Sequence, residues 1–140
     1  MNPLTNLKRI YFIGIGGIGM SALARYFNTQ GVIVSGYDKT PTALTDSLIK
    51  EGISIHFEDD LNQMDKAATV IVYTPAIPAE HSEYNYYKDN GYLVVKRSDV
   101  LQWVTENAFT IGIAGTHGKT TTTSMTAHIL RHTGYGCNAF

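Results

Sequence analysis

A single cysteine, Cys137, is all the thiol this chain has, so no disulfide can form within it, as suits a reducing compartment. Positive charge is not in surplus either. Eleven Lys and Arg stand against twelve Asp and Glu, for a formal net charge of -1, which gives a polyanion nothing to be drawn to and excludes nucleic acid as an expected partner. No stretch comes near the ~20 consecutive apolar residues of a membrane helix, so no membrane partner is expected. The apolar run from Ile10 to Ile18 is interrupted by glycines and followed by no small-residue cleavage site; it reads as a buried strand entering a turn, not as a signal peptide. These absences leave a cytoplasmic globular protein. At 140 residues it has room for one ordinary domain and some excess, but not for two complete nucleotide-binding domains.

What is present is an alternation of short apolar runs and helical patterns, which predicts an α/β fold: a Rossmann-like parallel sheet with helices on both faces. Strands are expected at Arg9 to Ile13, Val32 to Tyr37, Ile53 to Phe57, Thr69 to Tyr73 and Tyr92 to Val95. Helices are expected at Ile18 to Thr29, Thr42 to Lys50 and Glu80 to Asn90, with a further one capped by Ser98 or Asp99 and running through Val104. Thr74-Pro75-Ala76-Ile77-Pro78 must be a loop, because two prolines so close fit neither a helix interior nor a central strand. Polar residues at Glu106-Asn107 separate this unit from a fresh apolar run, Phe109 to Ala114, and a helix from Thr120 to about His132. The expected division is therefore a Rossmann-like domain over 1–107 and an incomplete β-loop-α unit over 108–140. Having lost its sheet, the strand Phe109 to Ala114 should be disordered, dock on the first domain or pair with another molecule.

Two glycine loops carry the chemistry. Gly14-Ile15-Gly16-Gly17-Ile18-Gly19 matches GxGxxG between the first strand and the first helix. The first glycine allows a tight turn, the second a close approach of backbone to a diphosphate, the third close packing of helix on strand. Asp38, about 20 residues further on at the end of the second strand, can accept hydrogen bonds from ribose hydroxyls or serve as a turn residue before Thr40-Pro41. NAD is the first candidate ligand, although FAD or a UDP-sugar presents the same ribosyl diphosphate. The second loop is Gly115-Thr116-His117-Gly118-Lys119-Thr120, with only residues 121–140 after it. Ile113 replaces the first glycine of the common P-loop pattern, yet Gly-Lys-Thr at a strand-to-helix junction keeps what triphosphate chemistry requires: backbone N–H groups, an ammonium on the outer phosphates and a hydroxyl for Mg²⁺.

The pair of motifs, Gly14-Ile15-Gly16-Gly17-Ile18-Gly19-Met20 near the start and Ala114-Gly115-Thr116-His117-Gly118-Lys119-Thr120-Thr121 a hundred residues later, resembles the Mur ligase family over the whole chain. Ser35-Gly36-Tyr37-Asp38, Thr74-Pro75-Ala76-Ile77 and Lys96-Arg97-Ser98-Asp99-Val100-Leu101 add to the likeness. The chain departs from the family's pattern at Tyr73-Thr74, where a pair of serines is common, at His81-Ser82-Glu83, where Asn-Pro-Glu is, and at Glu58-Asp59, where a Gly-His is. The resemblance implies the substrate-binding domain and the opening of the central ATPase domain of an ATP-dependent amide-forming ligase of peptidoglycan precursor synthesis. Its implied small-molecule partners are UDP-N-acetylmuramate, L-alanine and ATP, the ATP phosphorylating the lactyl carboxylate to an acyl phosphate that the amine of L-alanine attacks. By position it assigns the UDP diphosphate to Gly14, Ile15, Gly16, Gly17, Ile18 and Gly19, and the uridine end to Asp38. It places Thr74, Ala76, Ile77 and Arg97 along the cleft and ATP on Gly115, Thr116, His117, Gly118, Lys119 and Thr120. Lys119 and Thr120 would be catalytic, Thr120 ligating the Mg²⁺ of ATP. ATP and Mg²⁺ are cofactors of the full-length enzyme that the resemblance implies; this chain alone should hold none tightly and have no ligase activity.

Other readings stay open at this point. A nucleotide-binding module of the kind that gates potassium channels, with NAD as ligand, or a piece of an NAD-dependent dehydrogenase explains the first loop equally well and leaves the second unexplained. His128 and His132 stand four apart on a helix, but no third zinc ligand can be named. Tyr84, Tyr86, Tyr87 and Tyr92 are expected to pack a helix and a strand against the sheet. Cys137 is expected to be inert.

Overall fold

In the computed structural model, which describes residues 3–106 and 108–140, five parallel strands form one sheet in the order β3-β2-β1-β4-β5. They are β1 (Arg9–Ile13), β2 (Ile33–Tyr37), β3 (Ser54–His56), β4 (Val70–Tyr73) and β5 (Leu93–Lys96). Between them run α1 (Ile18–Thr29), α2 (Ala43–Lys50) and α3 (Ser82–Asp89); α4 (Arg97–Glu106) follows β5, and α5 (Lys119–His132) stands last. Each strand expected from the apolar runs of the first domain is present: β1 has the expected bounds, β2, β3 and β4 are shorter by one or two residues, and β5 is shifted one residue toward the C-terminus. The boundary placed at 107 falls on a residue outside those described.

β1 lies in the middle of the sheet and is buried on both sides, as its unbroken apolar sequence requires. Ile10 and Phe12 face a core built with Leu23, Ala24 and Phe27 of α1, Leu48 of α2 and Val100 and Val104 of α4. Tyr11 and Ile13 face the other way, onto Tyr37, Ile71, Met64 and Tyr87 of α3. Helices therefore cover both faces. The tyrosines do pack as expected: Tyr87 is fully buried, its ring 5.3 Å from that of Tyr11 and 5.0 Å from that of Tyr92.

The expected strand Phe109 to Ala114 does not form. Strand structure is a property of a pair, and no described strand lies alongside this segment to complete its hydrogen bonds. Phe109 is 95% exposed, and α5 has no buried residue. The chain end does touch the first unit, through an edge-on contact of Phe140 with Tyr26 at 5.7 Å between ring centres.

Candidate functional site

The strand order reverses its direction of winding at β1 and β4, and a doubly wound sheet opens its crevice there, beyond the carboxyl ends of the strands. The glycine run leaves β1 at that point. Its start is locked to the end of β2, because the Tyr37 carbonyl accepts hydrogen bonds from the N–H groups of Gly14 and Ile15 at 2.8 and 3.0 Å. Gly14 holds a φ of 87°, and a β-carbon on it would sit 2.5 Å from Thr74 Cγ2 and 3.5 Å from Ile77 Cδ1. Only glycine serves here, since the backbone is left-handed and the loop after β4 is packed onto it. Gly16 donates its N–H to Asp38 Oδ2 at 2.7 Å, while Asp38 Oδ1 accepts from the Thr40 N–H at 3.1 Å. Asp38 is thus both a turn residue and the carboxylate that faces the loop.

Gly17 caps α1 with no side chain to accept hydrogen bonds from the first turn, and that turn carries no acidic residue. The Gly17 N–H reaches the Gly14 carbonyl at 3.4 Å and Ser21 closes the first helical bond, which leaves the N–H groups of Ile18, Gly19 and Met20 without an acceptor among the described residues. Arg97, the first residue of α4, brings Nη1 to within 2.9 Å of where a Gly19 β-carbon would lie. An uncapped helix start with a guanidinium beside it attracts an anion, and a carboxylate on the same loop can accept from a hydroxylated group joined to that anion.

Gly14, Gly16, Gly17, Gly19, Asp38, Thr74, Ile77 and Arg97 are therefore brought together from the ends of four strands. Ile18 projects into solvent at the mouth, 87% exposed, and Ala76 is exposed in the loop after β4. Ile15 turns inward: its side chain is wholly buried against Gly36 and its N–H is held by the Tyr37 carbonyl, so it shapes the loop from beneath.

The second loop has a different condition. Gly118 caps α5 in the left-handed region with φ 77°, again with no side-chain cap. Lys119 folds back so that Nζ donates to the carbonyls of Gly115 at 2.6 Å and Thr116 at 3.4 Å. His117 and Thr120 are exposed. The donor set expected of a triphosphate loop is present, but the described residues supply it with no wall.

Behind the first site, on the α3 face of the sheet, lies a polar cluster that sequence reasoning missed. Tyr11 Oη is 2.5 Å from Glu83 Oε2 and 2.6 Å from His56 Nε2. Asp59 accepts hydrogen bonds from the N–H groups of Ser82 and Glu83, at 2.8 and 3.2 Å, and so holds the start of α3. His81 caps α3 by accepting from the Tyr84 N–H at 3.3 Å; its other ring nitrogen is buried without a partner. Burial pushes the His56 and His81 imidazoles below the usual range and Glu83 up to about 7. No spacing signature could have flagged this group, because its members are 45 and 72 residues apart. One signal was available: His81-Ser82-Glu83 and Glu58-Asp59 are positions where the chain departs from the family pattern.

The family model "Mur ligase family, catalytic domain" matches residues 9–108, from the start of β1 to just past α4. The chain belongs to the Mur ligase family. The match closes the two alternatives that the first loop left open, a channel-gating NAD module and a dehydrogenase. Among curated relatives of this Mur ligase chain is the UDP-N-acetylmuramate–L-alanine ligase of Porphyromonas gingivalis strain W83, 57% identical over 96% of the chain and 30% of that relative. The solved UDP-N-acetylmuramate-alanine ligase MurC of Thermotoga maritima superposes with a TM-score of 0.81 at 32% identity, over 91% of this chain and 30% of that one. The murein peptide ligase of Psychrobacter arcticus gives 0.79 at 29%, over 91% and 27%. The chain spans about 30% of the length of the curated relatives it matches. No described helix is long and apolar enough to cross a membrane.

Proposed function

We propose that this chain carries the UDP-N-acetylmuramate-holding part of a cytoplasmic ligase that joins L-alanine to that sugar nucleotide at the expense of ATP. The observation that carries the reading is the 57% identity to the P. gingivalis ligase over nearly the whole chain, which includes both glycine loops. The geometry supports it at the first loop. The N–H groups of Ile18, Gly19 and Met20, with Arg97 beside them, would hold the diphosphate, and Asp38 the uridine ribose. Thr74, Ala76 and Ile77 would border the sugar nucleotide on the β4 side.

Residues 1–107 would form this substrate domain and residues 108–140 the opening of the ATP-binding one. There the uncapped α5 start, the Lys119 ammonium and the exposed Thr120 hydroxyl fit a magnesium-bound triphosphate. Thr120 would ligate the Mg²⁺, which when bound with ATP offsets charge on the outer phosphates. Lys119 would exchange its own loop carbonyls for phosphate oxygens and stabilise negative charge there. The 140-residue chain supplies no described group placed to accept a proton from the attacking amine, so as an isolated polypeptide it is expected to bind substrate without turnover.

Calorimetric titration of the 140-residue protein with UDP-N-acetylmuramate, UDP and NAD tests the reading. Binding of both uridine ligands, the sugar nucleotide more tightly, is expected. Binding of NAD with none of the uridine ligands would sink it, and ADP release from UDP-N-acetylmuramate, L-alanine and ATP would overturn the expectation of no turnover.

A further inference from the structure

The cluster behind the first loop has too few hydrogens for the contacts it makes. His56 Nδ1 is 2.8 Å from the Glu58 carbonyl oxygen, which can only accept, so Nδ1 carries a hydrogen. With that hydrogen spent, neutral His56 has a bare Nε2. Between Nε2, Tyr11 Oη and Glu83 Oε2 there are two short contacts, of 2.6 and 2.5 Å, and the tyrosine hydroxyl supplies one hydrogen. If Glu83 were ionised and His56 neutral, one contact would set two lone pairs face to face at a distance that only a hydrogen bond tolerates. Moving the imidazole hydrogen to Nε2 only transfers the conflict to the Glu58 carbonyl.

One added proton resolves every contact. We propose that Glu83 is held as a neutral carboxylic acid that donates to Tyr11, Tyr11 donating to His56 and His56 to the Glu58 carbonyl, and that this proton chain latches the start of α3 and the 57–60 loop onto β1. Nothing is created or lost along the chain: loss of the Glu83 proton to solvent leaves a carboxylate, and one of the two short contacts without its hydrogen. The added proton could instead sit on His56, as an imidazolium with Nε2 3.5 Å from Glu83 Oε1. That places two charges where the Glu83 side chain is 0% exposed and that of His56 11%, and burial disfavours both ions, so the proton rests on Glu83.

Every element packed around Glu83 contributes to this condition. Tyr37 of β2 and Tyr87 of α3 are buried, and neither offers a positive charge. Asp59 and Asp60 raise the proton affinity further by like charge, although the Asp60 N–H donates to Glu83 Oε1 at 3.3 Å. Neutral His81, 3.4 Å from Asp59, gives no compensating cation. Burial lifts Glu83 from its ordinary 4.5 to about 7, which agrees with the hydrogen count.

The sign follows from linkage. A carboxyl whose folded pKa is raised contributes stability that is fully present below about 4.5 and lost as pH rises through about 7. His56 and His81, held neutral by burial, contribute in the opposite direction below the ordinary 6.5, so the comparison must be made against a variant that keeps both. Glu83→Gln is that variant: its amide donates to Tyr11 as the acid does and cannot titrate. Between pH 4.5 and 7 the folding equilibrium constant of the wild type relative to Glu83→Gln should fall about 100-fold, then stay level. Parallel pH curves for the two proteins would overturn the proposal. Carboxyl carbon NMR of the wild-type chain needs no variant: the Glu83 signal should be that of the acid at pH 5.5, and an ionised signal there overturns the proposal equally. Neither experiment involves a nucleotide, so failure here leaves the ligase reading standing.

Discussion

Gly14 and Gly118 both hold positive φ at the mouth of a helix, 87° and 77°, yet only the first has anything packed against it. Around Gly14 stand Thr74, Ile77, the Tyr37 carbonyl and, through its neighbours, Asp38 and Arg97. Around Gly118 nothing lies within 4 Å of a β-carbon, and Lys119 turns its ammonium on the loop's own carbonyls. Both loops present N–H groups at an uncapped helix start. The difference teaches that a motif supplies donors, whereas the sheet ends and loops around it decide whether those donors form a shaped site.

The largest effect should come from closing the space at the first loop. Gly14→Ala demands a left-handed alanine and pushes its methyl into Thr74, so about 2–5 kcal/mol of stability should be lost in urea unfolding. The matching change, Gly118→Ala, meets open space and sits on a helix outside the core. It should leave the main unfolding transition in place, with only local fraying of α5. Equal losses for the two variants would remove the contrast between the loops.

Ligand binding should separate them next. Arg97→Ala removes a guanidinium that meets no carboxylate among the described residues, so the fold should tolerate it, while the loss of a charge-assisted hydrogen bond should weaken UDP binding about 10- to 100-fold. Lys119→Ala should leave UDP affinity unchanged in the same titration. A Lys119→Ala protein that loses UDP binding would mean that the two loops share one ligand in this chain.

The contrast also explains what could be read in advance. The sheet was legible because Ile10 to Ile13 and Thr69 to Tyr73 are apolar runs too short for helices, and glycines at 31, 52 and 91 punctuate the helices between them. The first site was legible because its parts are ordered along the chain in the way a Rossmann crevice needs them: glycine run, acid at the end of β2, loop after β4. The run Phe109 to Ala114 is the opposite case: read as a strand that has lost its sheet, it forms none among the described residues. Its apolar pattern is genuine, but pairing partners are not encoded within a segment. The inward turn of Ile15 was not legible, because a motif names positions without saying which of them face the core. The Tyr11–Glu83–His56 cluster was invisible since three segments meet there only after folding.

The smallest expected effect bears on how firmly the first loop's helix is held. Arg25 of α1 grips Glu51, just past α2, through two nitrogens at 2.8 and 2.9 Å, and the pairing holds the Glu51 carboxyl below the usual range. Both side chains are more than a third exposed, so solvent screens the pair and Glu51→Gln should cost only about 0.5 kcal/mol at pH 7. A depressed carboxyl contributes stability above its unfolded pKa and loses it as pH falls, so the deficit of the variant should shrink as pH drops below the ordinary 4.5 of a glutamate. That slope is opposite in sign to the one set by Glu83. α5 makes no ion pair among the described residues, so no acid-sensitive tie of this kind should appear in the exchange of its amide hydrogens, which should be fast at every pH relative to those of α1. Amide exchange that is slow in α5 and releases at low pH would mean that the second loop is also anchored, by a contact that forms in solution, and the distinction between a built site and an unwalled one would fall with it.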